Sequence, residues 1–153
     1  MRRHGILLAA VMCLVAATAF AIDWQIGTWK LNEGKSKLSP GSAKNHTVVY
    51  TAVGNRVRVT VDGRDPDGKP THNEWIGAYD GKDYPVTGDP AQDLRSYTKV
   101  DDHTLTLTIK KAGDVTITGK IVVSRDGKSR TVTTTGTDAA GNKFTNIAVY
   151  DRQ

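Results

Sequence analysis

The chain has 153 residues, a formal net charge of +5 and one cysteine. Its longest basic run is the pair Lys110-Lys111, and no aromatic residues are interleaved with a basic stripe, which argues against nucleic-acid binding. Cys13 lies in the N-terminal apolar run, so the chain beyond it has no disulfide, no thiolate nucleophile and no cysteine-ligated metal.

Residues 1–21 read as a secretory signal peptide. Arg2 and Arg3 make a positive start, Gly5 to Ala17 is apolar, and Ala19-Phe20-Ala21 offers the small-x-small cleavage pattern before Ile22. A membrane anchor needs about 20 apolar residues, more than this run supplies. Residues 22–153 are then one exported domain, and the lack of cysteine suits a bacterial periplasm or a secreted fraction.

From there, short Thr/Val-rich runs alternate with Gly-Asp and Gly-Asn turns. Gly27 to Leu31 opens as a strand, with Trp24 and Trp29 nearby as bulk for one end of the fold. Asn32 to Asn45 is polar, with Gly34, Pro40 and Gly41, and reads as a loop with one helical turn near Ser36. Thr47 to Val53 places Val48, Tyr50 and Ala52 on one face, and after Gly54-Asn55 the strand Arg56 to Asp62 does the same with Val57, Val59 and Val61. Asp65-Pro66-Asp67-Gly68 is a strong turn, because proline fixes φ and glycine supplies a positive φ. His72 to Tyr79, Asp83 to Thr87 and Leu94 to Val100 follow. Thr104 to Lys110, with Leu105, Leu107 and Ile109 on one face, leads to Val115 to Ser124, where Val115, Ile117, Ile121 and Val123 share a face. Arg130 to Thr137 and Phe144 to Tyr150 complete the series.

These are about ten strands joined by short turns, and short turns impose antiparallel neighbours. The expected fold is all-β, an antiparallel meander barrel of about eight to ten strands, because closure removes exposed edges. An outer-membrane barrel is disfavoured, since the faces opposite the valines carry mostly Thr, Lys and Arg instead of an apolar band.

Few residues suggest chemistry. His72 and Glu74 share a strand face and, with His46 or His103, could hold zinc or copper or act as an acid/base pair. Asp65, Asp67, Asp80, Asp83 and Asp89 cluster around turns, but their spacing matches no calcium loop. There is no Gly-x-Ser-x-Gly elbow and no glycine-rich phosphate loop, so no catalytic residue, metal or cofactor is assigned. Asn73, Trp75 and Tyr79 share one strand face, as do Arg95, Tyr97 and Lys99 on a neighbour. Aromatic bulk with a few polar tips lines a ligand cavity or fills a small barrel, and Trp75, Tyr97 and Arg95 are the candidate lining.

The run Gly27-Thr28-Trp29-Lys30-Leu31 resembles the opening strand of fatty-acid-binding proteins and carries the Gly-x-Trp pattern that starts lipocalins. Val149-Tyr150-Asp151-Arg152 is similar to the close of the last fatty-acid-binding-protein strand. Both families belong to the calycin group, so the resemblance implies a barrel enclosing one small hydrophobic molecule. It adds Tyr150 to the candidate site. The arginine that pairs with this tyrosine in fatty-acid-binding proteins is replaced by Ala148, which argues against a fatty acid. The lipocalin pattern implies that Arg152 lies over Trp29 with a cation–π component.

The expected function is an exported, monomeric, lipocalin-like barrel that binds a small hydrophobic or amphipathic molecule without catalysis or stable membrane insertion. The alternatives are a β-rich envelope module that interacts with or inhibits another protein, and a small barrel enzyme using His72 and Glu74.

Overall fold

The computed structural model describes residues 23–138 and 140–153. The expected signal peptide and the cleavage point before Ile22 lie outside those residues. Ten strands form one closed barrel: β1 (Gly27–Leu31), β2 (Lys44–Val53), β3 (Arg56–Arg64), β4 (Pro70–Gly77), β5 (Tyr84–Thr87), β6 (Leu94–Lys99), β7 (Thr104–Lys111), β8 (Asp114–Val123), β9 (Ser129–Thr137) and β10 (Lys143–Arg152). Each strand pairs antiparallel with the next, and β1 closes the barrel on β10, with Trp29 opposite Arg152 and Leu31 opposite Tyr150. This is the expected all-β antiparallel meander barrel.

The alternation read from the sequence sets the interior. Val48, Tyr50, Val59, Val61, Leu105, Leu107, Ile121 and Val123 are buried. The alternation fails at the rims, where Ala52 and Val115 are exposed because the wall ends there. β2 begins at Lys44, earlier than its polar start suggests, through a register shift between Asn45 and Thr47. The thinnest part of the wall is β5, held by two residue pairs on each side. Pro85 lies in it and has no N–H to give to a ladder.

The two ends differ. At one end the β3–β4, β5–β6, β7–β8 and β9–β10 turns meet the long β1–β2 connection. That connection holds a 3₁₀ turn at Glu33–Lys35, one residue before the expected Ser36, capped by the Asn32 side chain, which accepts from Lys35 N at 3.2 Å. Ser39 N donates to Asn146 Oδ1 at 2.7 Å, and Asn146 Nδ2 donates to Ser42 Oγ at 3.1 Å. These bonds tie the connection to β10 as a strap.

The opposite end is plugged. Trp29 is fully buried and donates from Nε1 to Gln25 O at 2.9 Å. The Arg152 guanidinium lies 4.2 Å from the Trp29 ring centroid, as the lipocalin resemblance implies. It also donates to the carbonyls of Gly127, Ile26 and Trp24 at 2.5, 2.6 and 2.7 Å. Gly27 is required here: its φ is +135°, and a Cβ would lie 2.6 Å from Arg152 Nη1.

Candidate functional site

Between plug and strap the barrel is not filled. An inner chamber of about 230 Å³ is walled in part by Tyr50, Arg95, Tyr97, Arg130 and Tyr150. An outer chamber of about 320 Å³ lies under the strap and is walled by Ser39–Ala43 together with Thr134, Phe144 and Asn146. The two adjoin, since Leu107, Ile109, Ile117 and Val132 belong to both walls. The result is a cavity with polar tips at depth and an apolar waist.

Two arginines are buried in this interior, 3–4% exposed, and their surroundings are opposite in kind. Arg95 comes from β6. Its Nη2 donates to Asn73 Oδ1 at 3.0 Å and to Gln92 Oε1 at 2.8 Å, its Nε donates to the same Gln92 oxygen at 3.1 Å, and Nη1 reaches Tyr97 Oη at 3.4 Å. Its hydrogen-bonding capacity is largely met by neutral acceptors.

Arg130 comes from the start of β9, directly across the ladder from Tyr150. Its guanidinium lies 4.8 Å from the Tyr50 ring, 4.9 Å from Tyr150 and 5.3 Å from Trp29. Nε and Nη1 are buried with no hydrogen-bond partner among the described residues. Burial pushes the Tyr150 phenol up, against the opposing pull of Arg130. Burial likewise pushes Tyr50 well above the ordinary tyrosine range, with the neighbouring Tyr97 adding to the effect. Both hydroxyls are therefore neutral at physiological pH.

Of the residues singled out in the sequence, Arg95, Tyr97 and Tyr150 meet on the wall of the inner chamber. Trp75 does not reach it. It is fully buried beside Tyr97, edge-on at a centroid distance of 4.8 Å, and its Nε1 donates to Arg95 O at 2.9 Å. Trp75 thus supports the wall from behind. Arg130 was not singled out. The signal was present: in a strand whose Val132 faces inward, residue 130 must face inward too.

The acid/base pair of the enzyme alternative does not lie in the barrel cavity. His72 and Glu74 are on the outer face, because Asn73 and Trp75 between and beside them point in. His72 Nδ1 is 2.6 Å from Asp62 Oδ1, and Glu74 pairs with Arg58 at 3.3 Å, both at the surface. His103 stacks on Trp24 at the plugged end, with ring centroids 4.6 Å apart. The five turn aspartates divide between the two ends of the barrel. Asp65, Asp80 and Asp89 each accept a backbone N–H of their own turn at 2.9–3.0 Å, which is the ordinary work of a turn aspartate.

No family model matches the chain, and no curated protein matches it. Among solved structures, it is similar to EF1p2_mFAP2b bound to DFHBI, at 14% identity over 87% of this chain and 97% of that one, with a TM-score of 0.49. It is also similar to mFAP1, a redesigned β-barrel bound to DFHBI, at 17% identity over 86% of this chain and 98% of that one, with a TM-score of 0.45.

Proposed function

We propose that this chain is an exported, calycin-like, monomeric barrel that holds one small hydrophobic or amphipathic molecule in its interior and performs no chemistry on it. The observation that carries this reading is the pair of adjoining chambers, about 230 and 320 Å³, with an apolar waist and a few convergent polar tips. Ligand sites have this size and composition. The protein-interaction alternative calls for a free apolar edge or patch. Among the described residues the closed ladder leaves no free strand edge.

The test is titration with N-phenyl-1-naphthylamine, a neutral dye that fluoresces in apolar surroundings. Residues 22–153 should give a saturable increase that neutral hydrophobic compounds reverse. A folded protein that gives no increase contradicts the reading.

The strap is the route in or out on this account. Asn146→Ala removes its side-chain bonds to Ser39 and Ser42, so stability should fall by about 1 kcal/mol. Dye dissociation, followed by stopped flow, should speed up several-fold. An unchanged rate would mean that the ligand passes elsewhere.

A further inference from the structure

We infer that the inner chamber is an oxyanion site: Arg130 receives the negatively charged head of an amphipathic ligand whose apolar body occupies the waist and outer chamber. This rests on the reading of the barrel as a ligand carrier and specifies the ligand's chemical class.

The argument is one of unbalanced charge. The buried polar and charged side chains among the described residues include Arg95 and Arg130 but no Asp or Glu. A buried ion without a counter-charge is costly, and proteins pair such ions or bring in an opposite charge. Arg95 at least has hydrogen-bond acceptors, in Asn73 and Gln92. Arg130 has none for Nε and Nη1. Its three aromatic neighbours attract a cation through their ring faces, but neither the Tyr50 nor the Tyr150 hydroxyl is placed to accept from Nε or Nη1. Water could accept those bonds but would leave the charge unbalanced.

The surroundings raise the demand for an anion. Arg152, on the same Trp29 ring, adds a second positive charge nearby, already committed to three carbonyls. Tyr50 and Tyr150 are neutral and can serve as donors to an oxyanion, not as its substitute. The one acid on the chamber wall among the described residues is Asp89, which sits in the β5–β6 turn at the open end. Its carboxylate accepts from Ala91 N at 2.9 Å and from Gln92 Nε2 at 2.5 Å. The outward wall includes Leu107, Ile109, Ile117 and Val132, then Phe144, which suit an apolar body, with polar residues such as Asp138 and Asn146 at the strap. Head-in binding follows, since Arg130, with Nε and Nη1 lacking acceptors among the described residues, lines the inner chamber and not the outer one.

A matched pair of dyes tests this. N-phenyl-1-naphthylamine and 8-anilino-1-naphthalenesulfonate share the same apolar body, and only the second carries an anion. The wild type should bind the sulfonate about tenfold or more tightly than the neutral amine. Arg130→Met should abolish that preference, bringing the affinities for the two dyes within about threefold of each other, and Arg130→Lys should keep part of the preference. Equal binding of the two dyes by the wild type would overturn the anion site and leave the ligand-carrier reading standing; this comparison needs no variant to fold. A preference that persists in folded Arg130→Met would overturn it too, as would equal losses for both dyes, which make Arg130 a shaping residue. Binding of neither dye would sink both readings.

Discussion

Trp29→Ala should lower the unfolding free energy by about 3–5 kcal/mol in urea, the range for removing a buried tryptophan. Trp29 is fully buried in the plug, beneath the Arg152 guanidinium. Its loss opens a cavity and strands the Gln25 carbonyl that accepts from Nε1. It also removes the ring beneath the Arg152 guanidinium, leaving that charge held only by carbonyls. Since a domain of this size is stable by only about 5–15 kcal/mol, the variant should stand near the limit of folding. A change within about 0.5 kcal/mol would mean that Trp29 does not close the barrel, and the Gly27-x-Trp29 resemblance would be superficial.

Arg95→Met should be the second most damaging change at the site, costing about 2–4 kcal/mol. Methionine fills much of the same volume but donates nothing, so Asn73 Oδ1 and Gln92 Oε1 lose their donor, at about 1–3 kcal/mol for each orphaned group. Relief from burying the guanidinium offsets part of that. The double variant Asn73→Leu with Arg95→Met should recover stability relative to Arg95→Met alone, because one orphaned oxygen is gone. Additive losses in urea unfolding would show that the Arg95–Asn73 bond contributes nothing.

The strand series was legible because period-two alternation and glycine turns are local signals and, the Asn32 to Asn45 stretch apart, the gaps between runs were short. The ends of strands were less so. Lys44 to His46 is polar and looks like loop, yet it joins β2 because β3 offers a partner at Gly63 and Arg64. The plug was legible through Trp29 and Arg152, which rest on a family pattern. The pocket was legible in part. Arg95, Tyr97 and Tyr150 reach its wall, whereas Trp75 sits one layer behind, a difference that depends on side-chain volumes across the barrel and has no local signature. The replacement of an arginine by Ala148 pointed away from a fatty acid. The interior charge lies instead on the neighbouring strand, where Arg130 faces Tyr150 across the ladder. Cross-strand pairing of that kind becomes visible only once the register is known.

Native mass spectrometry of the protein purified from its own host tests the ligand-carrier reading most directly. The folded ion should have the mass of residues 22–153 plus one small organic molecule per chain, released intact on activation. A bare chain that remains bare after incubation with a lipid extract of the same host would contradict it.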